Sequence, residues 1–256
     1  MNLFLRTELA EGYSNPSQKI RVITEDWVGR QVYCPNCGNL DIGKYKNNKP
    51  VADFFCASCR EDYELKSKKE LINAKITDGA YRAMIGRLQS ANNPNFFLLH
   101  YNLFNFSVQN FFVVPKHFFV PDIIQKRKAL SKTARRAGWI GCNILLQNIP
   151  LAGKVYFVKE GKIEPRESVI SNWQKTLFLK EEKEIGAKSW LLDIMRCIEK
   201  CRKKRFSLDE VYAFENFLHK NHPENKHIKD KIRQQLQVLR DKGYLKFIER
   251  GLYQLI

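Results

Sequence analysis

Four cysteines in two close pairs constrain this chain more than any other feature. Cys34-Pro-Asn-Cys37 and Cys56-Ala-Ser-Cys59 stand 18 residues apart. Zinc takes four soft ligands in a tetrahedron, and each C-x-x-C turn supplies two thiolates. Gly38, directly after Cys37, lets the first turn close. Two such pairs at this spacing point to one zinc ion on Cys34, Cys37, Cys56 and Cys59 rather than to a redox motif. Sites with four cysteine ligands are closed, so the expected role is structural. The other three cysteines, Cys142, Cys197 and Cys201, are scattered and read as plain core or surface residues. An odd total without an apolar leader in residues 1–10 argues against a disulfide framework, so a reducing cytoplasm is expected.

A second pattern is wedged into the first. Asp53 precedes Cys56, and Glu64-Leu65-Lys66 follows Cys59. Residues two apart in a strand face the same side, so Glu64 and Lys66 point together. Asp53 on a neighbouring strand can meet them. Two carboxylates can hold Mg2+, which lowers the pKa of a bound water, and an ammonium can orient that water or steady charge on a phosphate. The bland alternative is a solvated charge cluster, since residues 61–69 (EDYELKSKK) are highly charged. The strand context, Pro50, and the cysteines inside the Asp53–Glu64 loop favour a built pocket.

Charge says more about partners than about fold. The chain carries a net charge of +17, and nucleic acid is the commonest polyanionic partner. A membrane surface would require one long basic amphipathic face, and here the charge is spread. Residues 184–256 hold 16 Lys and Arg against 10 Asp and Glu, and the remainder of the chain is basic too. No run of 18 apolar residues occurs, so no membrane span is expected.

The pattern of apolar residues divides the chain in two. Residues 1–183 read as mixed α/β, with strand candidates at 51–55, 63–67, 95–101, 111–115 and 154–159. A helix is predicted over 77–89, capped by Thr77 or Asp78. Residues 184–256 read as three helices and a hairpin, the order of a winged helix. The helices are predicted at 189–201, from a Ser207 cap with Glu210 at the capping-box position, and over 225–242, stopped by Gly243. The hairpin strands are 244–247 and 252–256. The linker over 160–184 is expected to include a helix at 167–179.

DNA-contact candidates follow from residue type. Arg135 and Arg136, in TARRAGWIG, suit phosphate or guanine. Trp139 in the same stretch either stacks on a base or begins a buried strand. The polar side of the third C-terminal helix carries Lys226, Lys229, Arg233, Gln234 and Gln237, side chains suited to major-groove edges, with His227 at its start. A solvated helix face is the alternative. The run 201–205 (CRKKR) reads as a loop touching phosphate.

These motifs resemble a known family. Asp53 with Glu64-Leu65-Lys66 resembles the PD-(D/E)xK nucleases, although Val51 and Ala52 separate Pro50 from Asp53. More closely, the chain resembles the DpnI-type methyl-directed restriction endonucleases. The matching stretches are ITEDWVGRQVYCPNCGN, PVADFFCASC, ELKSKK, NNPNFFLL, TARRAGWIGCNI and HIKDKIRQQLQVLRDKGYL. The resemblance implies a PD-(D/E)xK mixed-sheet core with an inserted four-cysteine zinc site, followed by a small winged-helix domain. It implies catalytic Asp53, Glu64 and Lys66, Mg2+ on Asp53, Glu64 and the Leu65 carbonyl, and zinc on the four cysteines. It also implies cleavage of double-stranded DNA at GATC with methylated adenine. A monomer is expected. The competing readings are a non-catalytic zinc and winged-helix regulator, and a structure-specific or RNA nuclease on the same core.

Overall fold

The computed structural model describes residues 1–46, 52–72, 74–90 and 93–256. The chain forms two compact units: residues 1–147 with 152–174, and residues 148–151 with 175–256. Val51, at the start of one expected strand, and Pro50 ahead of it lie outside the described residues.

The first unit opens with helix α1 (Pro16–Gln31). Asn15 caps it by accepting from the Ser17 amide at 2.8 Å, and Pro16 sits where a missing N–H costs nothing. Its strands are β1 (Gly43–Lys44), β2 (Phe54–Phe55), β3 (Asp62–Lys68), β4 (Ile76–Ala80), β5 (Asn95–Tyr101), β6 (Val108–Val114), β7 (Ile124–Lys126), β8 (Gly141–Ile144), β9 (Val155–Lys159) and β10 (Lys162–Ile163). Helix α2 (Tyr81–Gln89) follows β4, and α3 (Arg166–Gln174) follows β10.

Seven strands form one mixed sheet in the order β1-β2-β3-β5-β6-β9-β10. Only β3 and β5 run parallel. Parallel neighbours require a crossover, and here it passes through β4 and α2. A second, antiparallel sheet has the order β4-β8-β7. One face of β3 and β5 carries Tyr63 stacked on Phe97, with ring centroids 4.4 Å apart. Phe97 and Trp27 of α1 both lie against Phe111 at 5.2 Å, which closes an aromatic core.

The predicted helix over 77–89 is too long at its start. Residues 76–80 pair with β8, and the burial alternates, with Ile76 and Asp78 in and Thr77 out. Neither Thr77 nor Asp78 caps a helix. Pairing with a segment some sixty residues away overrides the local cap signal. The strand expected at 51–55 is only Phe54–Phe55, and Asp53 sits in a bend ahead of it.

The second unit contains α4 (Phe178–Glu181), α5 (Ile185–Lys200), β11 (Arg205–Ser207), α6 (Leu208–Tyr212), α7 (Glu215–Asn221), α8 (Ile228–Asp241), β12 (Leu245–Glu249) and β13 (Leu252–Leu255). The three strands pair in the order β11-β13-β12. The single helix expected after Ser207 is two, α6 and α7, and the one expected at 167–179 is α3 and α4. The expected capping box is formed: Ser207 Oγ accepts from the Glu210 amide at 3.2 Å, and Glu210 accepts from the Ser207 amide at 2.8 Å. Gly243, at φ 74°, ends α8 as expected, and the Tyr244 amide bonds back to the Leu239 carbonyl at 2.9 Å. The run expected as a phosphate-touching loop ends in an edge strand, since Arg205 pairs with Gln254.

Asp193 ties this unit together. It accepts from Arg196 at 2.8 Å and Asn221 at 2.9 Å, and lies 3.0 Å from His222 Nε2. Burial raises its carboxyl, but the bonds from His222 and Asn221 outweigh that and hold it below the ordinary range. The stabilisation is therefore complete above the ordinary carboxylate pKa and is lost as pH falls through the lowered one. Asp193→Ala is expected to cost about 3 kcal/mol by stranding buried polar groups, read as a lowered urea midpoint of the full chain. Among the described residues, no helix is long and apolar enough to cross a membrane.

Candidate active site and four-cysteine centre

The cysteine centre is built from two matching turns. In the first, the Gly38 amide bonds to the Cys34 carbonyl at 2.8 Å; in the second, the Arg60 amide bonds to the Cys56 carbonyl at 2.9 Å. Each turn ends in the left-handed region, at Gly38 (φ 76°) and at Arg60 (φ 60°). A side chain there is strained by about 1 kcal/mol. Arg60→Gly is therefore expected to raise the melting temperature by a few degrees.

The four sulfurs lie within 4.8 Å of one another. Cys34 and Cys59 Sγ are 3.5 Å apart, and Cys37 and Cys56 are 3.6 Å apart. A zinc–sulfur bond of ~2.3 Å in a tetrahedron sets sulfurs ~3.8 Å apart, so the residues fit zinc and are too far apart for disulfides. Burial raises the Cys34 thiol. Cys56 is brought down to about 7, because amides of Cys59 and Ser58 and the Cys37 thiol outweigh its burial. Helix α3 braces the first turn: Trp173 Nε1 donates to Asn36 Oδ1 at 3.0 Å, and Arg166 donates to the Gly38 carbonyl.

Strand β3 leaves this centre and carries Glu64 and Lys66. The strand reading placed them on one face, and Lys66 Nζ lies 2.5 Å from Glu64 Oε1. A third residue joins them that the sequence reading assigned to a helix cap. Asp78 Oδ1 of β4 sits 2.6 Å from Lys66 Nζ. Arg87 of α2 approaches Glu64 Oε2 at 3.5 Å. Glu64, Lys66, Asp78, Met84 and Arg87 help to line a cavity of about 110 Å³. Burial raises the Glu64 carboxyl, against the pull of Lys66. Burial alone would lower Lys66, but Glu64 and Asp78 push it up to about 12. The ammonium therefore stays charged throughout the neutral range.

Asp53 is not seen in hydrogen-bond contact with Glu64 or Lys66. Its amide bonds to the Tyr63 carbonyl at 2.9 Å, and its Oδ2 accepts from the Leu65 amide at 2.8 Å. The carboxylate thus sits at the edge of β3, against the backbone of Leu65. With Leu65 and Ser67 it opens onto a cleft of about 800 Å³ beneath α1, lined also by Arg21 and Glu25. Buried Glu25 pairs with Arg21 at 2.5 Å and Lys44 at 2.8 Å. Burial raises the Asp53 carboxyl, the Leu65 amide lowers it, Glu25 raises it, and Arg21 and Lys66 lower it. Glu25 carried no sequence signal, since nothing local marks a helical glutamate as facing a cleft.

For a hard cation the donor chemistry fits. Asp53, Glu64 and the Leu65 carbonyl offer oxygen only, although Asp53 and Glu64 line different cavities. Glu64 Oε2 is buried and has no hydrogen-bond partner, a cost a cation would remove.

The residues expected to touch DNA fall in both units. Arg135 and Arg136 are exposed on the segment between β7 and β8. Arg136 lies 4.8 Å over the Trp139 ring, which is half-buried and precedes β8. Trp139, Tyr81, Arg82 and Lys126 line a cavity of about 380 Å³. A Cβ on Gly141 would stand 2.8 Å from the Trp139 ring, so Gly141→Ala must swing the indole away. It is expected to weaken DNA binding as much as Trp139→Ala does, measured by filter binding.

In the second unit, Lys226, His227, Lys229, Arg233, Gln234 and Gln237 are all exposed, while Ile228, Ile232, Leu236 and Leu239 face inward. Lys229 lies 3.6 Å from Glu215, and Arg233 bonds Asp230 and the Tyr212 hydroxyl. His227 precedes α8 without capping it.

A mixed-sheet unit with a four-cysteine cluster, followed by a helix-turn-helix unit, defines a DpnI-type enzyme. The Dam-replacing family matches residues 1–182, and the Dam-replacing HTH domain matches residues 186–255. The chain belongs to the Dam-replacing family.

Proposed function

We propose that this protein is a type II restriction endonuclease that cuts double-stranded DNA at GATC sites with methylated adenine, by magnesium-dependent hydrolysis. Family membership supports the class and the DNA partner. The observation that carries the chemistry is Glu64, paired with Lys66 through one oxygen while the other is buried without a hydrogen bond, 3.5 Å from Arg87.

In this reading Asp53, Glu64 and the Leu65 carbonyl would hold Mg2+, which would supply a water of lowered pKa and charge neutralisation at the phosphate. Lys66 keeps its proton, holds that water in line, and steadies the charge growing on the phosphoryl oxygens. The Asp53 carboxylate is oriented by the Leu65 amide. Zinc on Cys34, Cys37, Cys56 and Cys59 is structural. It would tie the β2–β3 turn, which lies between the two proposed carboxylate ligands, to the turn after α1. Residues 1–183 form the catalytic domain, and residues 184–256 the winged helix. Arg135, Arg136 and Trp139 serve the first domain's contact with DNA. His227, Lys229, Arg233, Gln234 and Gln237 serve the second's, and the protein works as a cytoplasmic monomer.

The test is plasmid carrying adenine methylation at GATC, incubated with the protein in Mg2+ or in EDTA. Fragments are expected in Mg2+ alone. Tight binding without cutting in either condition supports a non-catalytic regulator instead.

A further inference from the structure

We infer that Asp78 is a positioning residue for Lys66. It takes one N–H of the ammonium, so that Lys66 bonds a single oxygen of Glu64 and the other keeps no hydrogen bond. The inference rests on the reading of Glu64 and Lys66 as active-site groups and adds a residue to it.

Asp78 is 8% exposed. A carboxylate buried that deeply is costly unless paired, and its ion pair among the described residues is with Lys66 at 2.6 Å. The two come from different sheets, Lys66 from β3 and Asp78 from β4. The ion pair therefore bridges the sheets.

Asp78 is held firmly. It is the Cα partner of Cys142 in β8, and the register slips by a bulge between Asp78 and Ala80. Bulges re-aim side chains next to functional sites. The Cys142 thiol, fully buried, donates to the Gly79 carbonyl at 3.5 Å and fixes the bulged residue.

The consequence follows from the donor count of lysine. An ammonium has three N–H groups. Glu64 Oε1 takes one and Asp78 Oδ1 takes another, which leaves one for water or phosphate. Without Asp78, the ammonium has a single carboxylate to satisfy it and falls back onto both Glu64 oxygens. That would occupy the oxygen that now has no hydrogen bond and lies 3.5 Å from Arg87, and aim the remaining proton elsewhere.

Asp78→Asn preserves shape and removes the charge. With the full-length zinc-loaded protein on methylated plasmid, kcat is expected to fall about 100-fold, the scale of a misplaced catalytic group. KM for DNA should stay within about twofold, since Asp78 does not bind it, while the Mg2+ concentration for half-maximal rate should rise, since the ammonium then competes for the Glu64 oxygen. Asp78→Glu should regain about tenfold of that loss by restoring the charge. A wild-type rate for Asp78→Asn overturns the inference. So does a rate for Asp78→Glu no higher than that for Asp78→Asn, because the charge would then not be what positions Lys66.

If the wild-type protein cuts no DNA, the proposed function fails, and crystal structures of wild type and Asp78→Asn still decide the positioning role. Lys66 moved onto both oxygens of Glu64 in the variant supports it. Lys66 unmoved overturns it.

Discussion

Lys66→Ala is expected to reduce cleavage by about 100- to 1000-fold, the range for removing one charge-stabilising donor from an active site. The fold should survive. Lys66 neutralises two carboxylates, and its removal leaves Glu64 and Asp78 facing one cavity without their shared cation. Two such groups need not both stay ionised, because one can take a proton and share it with the other. The stability loss is thereby limited, while the loss of the ammonium cannot be made good. Circular dichroism and zinc content should match wild type. Cleavage by this variant at the wild-type rate would remove Lys66 from the mechanism.

Cys34→Ser is expected to have an equally large effect by a different route. Cys34 is fully buried, its thiol lies 3.1 Å from the Tyr63 hydroxyl, and its carbonyl holds the first turn closed. A four-thiolate zinc site contributes on the order of 10 kcal/mol to folding. Serine is a poor ligand for zinc, so most of that is lost. Atomic absorption should find about one zinc per wild-type chain and almost none in the variant. The variant should also melt well below wild type and cut nothing, since β3 loses its anchor. Cys142→Ala is the control: a buried cysteine outside the cluster, it should keep its zinc.

What could be read from the sequence depended on the reach of the interactions. The cysteine cluster needed only spacing, and its turns follow from C-x-x-C chemistry. Glu64 and Lys66 needed only strand periodicity, and their ion pair follows. The stripe Ile228, Ile232, Leu236 and Leu239 needed only helical periodicity, and all four are buried. Non-local pairing was not legible. Thr77 and Asp78 look like a helix cap because polar residues precede a helical pattern. Their strand is created by β8, which local propensity cannot anticipate. The same cause hid Asp78 as the partner of Lys66. The position of Asp53 was legible only in part. Its side chain accepts from the Leu65 amide, which sets it at the strand edge. The splits between α6 and α7, and between α3 and α4, mark turns that an apolar stripe runs straight across.

The central claim is that an enzyme of this family discriminates DNA by adenine methylation. Two plasmids of different size, one methylated at GATC and one not, are mixed in a single tube with the protein and Mg2+. Fragments from the methylated plasmid alone, with the other left supercoiled, are the predicted result. Equal cutting of both, or cutting of the unmethylated plasmid alone, would contradict it.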